Sequence, residues 1–231
     1  MTLRLAVPDG ELRAPSLALL AAAGVTDAAT AVTGPAPAFV ATPAGPAAPG
    51  AVAARVAVVA ADDVCAYLAA GVADAGFVAK DALLERESGL CELLDLRFGA
   101  AQLLYAVAPS APGRLARLGR LRVATRHPHL ARSFLAGRGV QADVVGVAGE
   151  LERAVSDGLA DAVVALAPAP VGGAPTTMGG LVVEAIVAES SVRLAVGRAA
   201  RVLRDAEIAD LVARLRATLP DLPEPTPKGD T

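Results

Sequence analysis

The chain has 231 residues, enough for one large domain or two small lobes with cores of their own. Hydrophobic residues make up 54% but aromatics only 3%, with no Trp, so a core has to be assembled from Val, Leu, Ile and Ala, the usual filling of strands covered by helices. A formal net charge of −3 with no strongly basic stretch argues against nucleic-acid binding by phosphate neutralisation, and no apolar run reaches the roughly 20 residues that span a bilayer.

Leu3 to Val7 is a short apolar run that reads as a first strand, broken by Pro8, Asp9 and Gly10. Pro15 to Ala23 reads as a helix, with proline in its first turn and Gly24 past its end. Within it, Leu17 to Ala23 has the length of a short signal-peptide core. Asp9 and Glu11 stand where such a peptide carries positive charge, so that reading is rejected. Gly34 to Gly50 is rich in Pro, Gly and Ala and reads as a loop or an irregular hairpin. Arg55 to Ala60 is a Val-rich strand. Asp62 or Asp63 caps the next helix, which runs to Ala70 and ends at Gly71. Ala75 to Val78 is a strand and Lys80 to Glu87 a short helix. This alternation predicts a parallel sheet with right-handed crossovers. Cys65 and Cys91 have neither paired nor metal-ligand spacing and read as buried, reduced thiols of a cytoplasmic protein.

Leu94 to Phe98, followed by Gly99, reads as a transition. Beyond it come a strand at Ala101 to Ala108, a strand at Leu121 to Thr125, and a helix from about Pro128 to Gly137 or Gly139. Asp143 to Val147 reads as a strand, Glu150 to Asp157 as a helix stopped by Gly158, and Ala162 to Leu166 as a strand, so the strand–helix plan recurs without a sequence repeat. Ala167 to Gly180 holds three prolines and four glycines and reads as a long loop. Leu181 to Ala188 and Ser191 to Val196 are strands. Asp205 to Leu219 is the clearest helix, with Ile208, Leu211, Val212, Leu215 and Leu219 on one face. Pro220 to Thr231, with four prolines, reads as a disordered tail. His127 and His129 flank Pro128 in a turn without companion ligands, so no metal site is expected there.

Several phrases, in order, carry a resemblance. They are Asp63-Val64-Cys65-Ala66-Tyr67-Leu68, then Ala73-Asp74-Ala75-Gly76-Phe77-Val78-Ala79-Lys80-Asp81, Leu93-Leu94-Asp95-Leu96 with Phe98-Gly99, and Arg122-Val123-Ala124-Thr125 with Pro128. Gly139-Val140-Gln141-Ala142, Gly158-Leu159-Ala160-Asp161 and Glu189-Ser190-Ser191 with Arg193-Leu194 continue the series. The chain, from about Leu3 to Leu219, resembles the catalytic subunit of short-form ATP phosphoribosyltransferase. The resemblance implies an α/β, two-lobed fold like the type II periplasmic binding proteins, with mixed or parallel sheets flanked by helices. Lobe one would be residues 1–94 plus 182–219, lobe two residues 95–181, and residues 220–231 the tail. It implies transfer of phosphoribose from phosphoribosyl pyrophosphate to N1 of ATP, the first step of histidine biosynthesis, with Mg²⁺. A regulatory subunit resembling histidyl-tRNA synthetase and a cytoplasmic homo-oligomer are implied with it.

The chain departs from the family pattern where polyphosphates are to be met. Asp9 and Glu11 stand in place of two cations, Gln102 in place of an Arg, Ala79 in place of a Gly, and Ala165 in place of an acid. The phosphate-loop equivalent, Ala167 to Thr177, is longer and carries prolines, which lack amide donors. The resemblance leaves Glu152 as the catalytic candidate beside ribose and Mg²⁺. Asp74, Lys80, Asp81 and Arg126 keep their residue types as substrate-binding candidates, and Gly172, Gly173, Thr176 and Thr177 offer a phosphate nest in another register. Each has a plainer reading: Asp74 as a strand terminus, Lys80 and Asp81 as the start of a helix, Arg126 as a solvated charge, Glu152 as a first-turn acid. Three functions stay open at this level: an ATP phosphoribosyltransferase, a non-catalytic paralogue or small-ligand-binding subunit on the same scaffold, and a transferase to a different acceptor.

Overall fold

Leu3, Leu5 and Val7 point to one side of the first strand and Ala6 to the other, and both sides are buried. A computed structural model describes residues 2–26, 52–86, 88–109, 121–170 and 175–219. The expected loop at Gly34 to Gly50 and tail at Pro220 to Thr231 lie outside the described residues.

The first lobe is a six-stranded sheet in the order β2-β3-β1-β4-β12-β5. Its strands are β1 (Leu3–Pro8), β2 (Val25–Thr26), β3 (Val52–Val59), β4 (Ala75–Ala79), β5 (Cys91–Asp95) and β12 (Val192–Val196). Helices α1 (Arg13–Ala22) and α7 (Asp205–Thr218) cover one face, where Leu20, Ile208, Leu211 and Leu215 pack on Leu5, Phe77 and Leu194. Helix α2 (Val64–Ala69) covers the other, with Val64, Cys65 and Leu68 on Ala6, Ala57 and Ala195. The small residues of that face are needed: a Cβ on Gly76 would lie 2.9 Å from the Ala6 carbonyl oxygen. Helix α3 (Lys80–Arg86) follows β4 directly, and α6 (Arg198–Leu203) follows β12.

The second lobe is a six-stranded sheet in the order β10-β11-β6-β9-β7-β8. Its strands are β6 (Ala101–Val107), β7 (Leu121–Thr125), β8 (Ala142–Gly146), β9 (Ala162–Pro168), β10 (Thr177–Met178) and β11 (Leu181–Ser190). Helix α4 (Pro128–Gly137) packs Ala131 and Leu135 on Tyr105, Val123 and Val164. Helix α5 (Leu151–Ser156) packs Leu151 and Ala154 on the opposite face, against Ala124 and Val163.

Two expectations need correction. The sheets are mixed, as the resemblance allowed, and not the parallel sheet that the strand–helix alternation alone suggested: β12 runs antiparallel to β4 and β5, and β6 antiparallel to β9 and β11. The transition expected at Leu94 to Phe98 falls where the chain leaves the first sheet, its first two residues still closing β5 (Cys91–Asp95) beside β12. Residues 182–190 belong to the second sheet, since β11 pairs with β6 from Val182 opposite Val107 to Ser190 opposite Ala101. The return to the first sheet therefore falls at Ser191, not at 182.

The chain crosses between sheets twice, between β5 and β6 and between β11 and β12, and the crossings are tied together. Leu96 N–H donates to Val192 O and Val192 N–H to Phe98 O, both at 2.9 Å. Arg97 there has φ of 58°, with its N–H held by Asp95 Oδ1 at 2.8 Å.

Candidate functional site

Ligands of open α/β sheets gather at the carboxyl ends of the strands. At those ends a cleft of about 950 Å³ opens between the lobes. Asp62, Asp81 and Arg86 line it from the first lobe. Residues 125–128, 146–152, Ala165 and Leu166 line it from the second.

Asp81, in the first turn of α3, is buried, and both of its carboxylate oxygens are committed. Its backbone N–H donates to Ser190 Oγ at 3.1 Å, the Ser190 hydroxyl donates back to its Oδ1, and His127 Nε2 lies 2.9 Å from its Oδ2. Burial opposes the charge, but the hydrogen bonds from His127 and Ser190 outweigh it and hold the carboxyl below the usual aspartate range. An ionised carboxylate only accepts, so His127 Nε2 carries the proton. Its Nδ1 is buried and has no partner among the described residues. Thr125 fixes this turn, donating to Val164 O at 2.6 Å and accepting the His127 N–H at 2.9 Å. One turn along α3, the Glu85 carboxylate accepts the N–H groups of His129 and Leu130 at 2.8 and 2.9 Å.

Two cations serve the cleft. Arg126 reaches across the second-lobe wall to Gly149 O at 3.0 Å. Arg86 stands in the last turn of α3 on the opposite wall. Neither makes an ion pair among the described residues. Glu152, in the first turn of α5, lies against the Gly179 turn: a Cβ on Gly179 would sit 2.3 Å from Glu152 Cγ. Gly179 has φ of 53°, so its lack of a side chain serves both the turn and the close approach. The Glu152 carboxylate makes no ion pair among the described residues.

The structure thus brings Asp81, Arg126 and Glu152 to one cleft, but not Asp74, Lys80, Thr176 or Thr177. Asp74 sits at the opposite end of β4 and is taken by Arg4: Oδ1 accepts Nη2 at 2.7 Å, and Oδ2 accepts the backbone N–H at 2.9 Å and Nε at 3.2 Å. Burial opposes the Asp74 charge, yet these bonds keep its carboxyl below the ordinary range. Lys80 turns to the sheet edge and pairs with Glu92. Thr176 and Thr177 are exposed on the β10–β11 hairpin and do not line the cleft. Gly172 and Gly173 lie outside the described residues. The expected loop from Ala167 starts later, because β9 continues to Pro168 opposite Ala101. The missing N–H of Pro168 costs no ladder bond on the other side, since β7 pairs with β9 only as far as Val164.

Asp9 follows the carboxyl end of β1, its N–H donating to Val59 O at 2.8 Å, and its carboxylate lies 3.6 Å from Arg13. Sequence reasoning missed Arg86, Glu85, Ser190 and the role of His127. A basic residue in the last turn of a short helix is what the helix dipole alone would favour, so Arg86 carried no separate signal.

The family model for ATP phosphoribosyltransferase matches residues 60–217. ATP phosphoribosyltransferases of Deinococcus radiodurans and Thermus thermophilus are each 40% identical over 154 residues, covering 67% of this chain and 67% and 71% of theirs. That of Acidithiobacillus ferrooxidans is 40% identical over 167 residues, 71% of this chain and 76% of its own. Among solved structures, the ATP phosphoribosyl transferase (HisG:HisZ) complex from Thermotoga maritima matches with a TM-score of 0.71 at 21% identity, over 94% of this chain and 98% of that one. The periplasmic aliphatic sulphonate binding protein SsuA from Escherichia coli matches at 0.54 and 13% identity, over 94% and 72%. Both structural likenesses speak to the fold. Among the described residues no helix is long and apolar enough to cross a membrane.

Proposed function

The chain belongs to the ATP phosphoribosyltransferase family, a family of glycosyltransferases, and from that premise we propose that its interlobe cleft holds phosphoribosyl pyrophosphate and ATP together. The adenine N1 lone pair attacks the anomeric carbon of the ribose, the bond from that carbon to the pyrophosphate oxygen breaks, and pyrophosphate leaves with the electron pair. The attacking nitrogen needs no proton removed. The protein therefore contributes position and stabilisation of the charge that grows on the leaving group.

The observation that carries this reading is a pair of arginines, Arg86 and Arg126, on opposite walls of one cleft and without acidic partners among the described residues. They supply the positive charge that the altered positions at 9, 11 and 102 do not. Mg²⁺ ordinarily binds through one or two carboxylates together with substrate phosphates. Among the described residues no group of three or more ligands offers a resident site, whereas the unpaired Glu152 on the cleft wall is the carboxylate that would hold an ion arriving with the diphosphate. There the ion would neutralise leaving-group charge. Asp81, with both oxygens committed, positions His127 and does not bind substrate. We propose that the protein works in the cytoplasm as a homo-oligomer and that it has a regulatory subunit resembling histidyl-tRNA synthetase; the second part is supported by the Thermotoga structure, which is of a two-component complex.

Steady-state pyrophosphate release tests the roles. A charge-assisted hydrogen bond contributes about 1.5–3 kcal/mol, so Arg86→Ala and Arg126→Ala are each expected to raise KM for phosphoribosyl pyrophosphate by about ten- to a hundredfold. Glu152→Gln is expected to lower kcat. Unchanged kinetics in both arginine variants would remove them from the site.

A further inference from the structure

We infer that α3 is a clasp that sets the separation of the two lobes, with Glu85 and Asp81 as positioning residues for the transfer reaction. The inference about catalysis rests on the proposed function above, while the clasp itself rests on geometry alone.

The lobes are joined by two crossing segments, and a third connection runs through side chains. Helix α3 belongs to the first lobe and follows β4 without a loop. From it Glu85 reaches the start of α4 in the second lobe, taking the N–H groups of His129 and Leu130 with its two oxygens. Those N–H groups have no partner within the helix, and they sit at its positive end, so a carboxylate there is favoured both by hydrogen bonding and by the dipole. One turn earlier Asp81 grips His127, from the same second-lobe turn, at 2.9 Å. Ser190, the last residue of β11 beside the return crossing, completes the set through Asp81. Two carboxylates on one short helix therefore hold His127, His129 and Leu130 of the opposite lobe.

The consequence for the site follows from chain adjacency. Arg86 is next to Glu85, and Arg126 is next to His127. The residues that clasp the lobes are the immediate neighbours of the two arginines, so fixing α3 against the His127–Leu130 turn fixes one cleft cation relative to the other. Glu85 also fills the α4 N-terminus, which directs a substrate diphosphate to the arginines and away from that helix end.

The full-length chain tests this by electron–electron distance measurement. Spin labels go on Ala209→Cys in α7 and Ser133→Cys in α4, both exposed, in a Cys91→Ser background. Without ligand, the otherwise unaltered protein is expected to give one narrow distance. Glu85→Ala is expected to lengthen and broaden it, and Glu85→Gln, which keeps one acceptor oxygen, to fall between. Saturating ATP, phosphoribosyl pyrophosphate and Mg²⁺ should restore the narrow distance. If substrate closes a population that the variant has opened, KM for the sugar diphosphate rises by about tenfold with kcat little changed. A distance distribution unaltered in both Glu85 variants, each melting cooperatively, overturns the clasp whatever the kinetics. A broadened distribution that substrates fail to narrow leaves the clasp standing and counts instead against the cleft as the diphosphate site.

Discussion

Two buried carboxylates bracket β4, and their partners separate their roles. Asp74 at its start is held by Arg4 within the first sheet, while Asp81 at its end faces the second lobe through His127. Residue type alone gave the two the same standing, although Asp74 precedes β4 and Asp81 follows it, and the carboxyl end of a strand is the one that opens on the cleft. Asp74→Asn is expected to destabilise the fold by about 1–3 kcal/mol, the cost of leaving buried hydrogen-bonding groups unsatisfied, and to leave KM for both substrates unchanged. Urea titration and kinetics check the two halves. Both carboxyls lie below their ordinary value of 3.8 in the folded chain. Each then adds stability that is complete above that value and is lost as pH falls through the folded one. Urea midpoints should stay level from neutral pH down to the ordinary carboxylate range and drop below it, less steeply in Asp74→Asn than in the parent. Arg86 was not legible, since a cation closing a short helix satisfies the dipole with or without a ligand.

At the scale of elements, the apolar runs of β1, β4, β7 and β9 and the spaced leucines of α7 were readable, because each run is long enough to show its period and each is bounded by Gly, Pro or a charge. Residues 167–180 were not. Prolines suggested a loop throughout, yet Ala167 and Pro168 extend β9 and Thr177 and Met178 form β10. Whether a proline breaks a strand depends on whether a neighbour wants its N–H, which is a tertiary fact. The same hairpin makes a turn that places Glu152. Gly179→Ala adds a Cβ at 2.3 Å from Glu152 Cγ in a backbone that L side chains rarely adopt. It is expected to lower turnover toward the level of Glu152→Gln, and the double variant should be no slower than the worse single one. Multiplying effects would show that Gly179 acts through something other than Glu152.

For the molecule as a whole, strand–helix order and the ordered phrases gave the two-lobed architecture, and the family match stands on 40% identity to three bacterial relatives. The late return at Ser191 was hidden, because antiparallel pairing of β11 with β6 joins segments about eighty residues apart whose apolar patterns suit either lobe. The cleft between the lobes has on both walls arginines without an ion pair among the described residues, even though the familiar cationic positions have changed, and that is the basis for assigning it the chemistry of the family. Phosphorus NMR of phosphoribosyl pyrophosphate, Mg²⁺ and the protein, with and without ATP and with the regulatory subunit present, tests this most directly. The account predicts that the diphosphate resonances convert to those of free pyrophosphate only when ATP is added. Resonances unchanged after prolonged incubation with ATP, or conversion that proceeds equally without it, would contradict it.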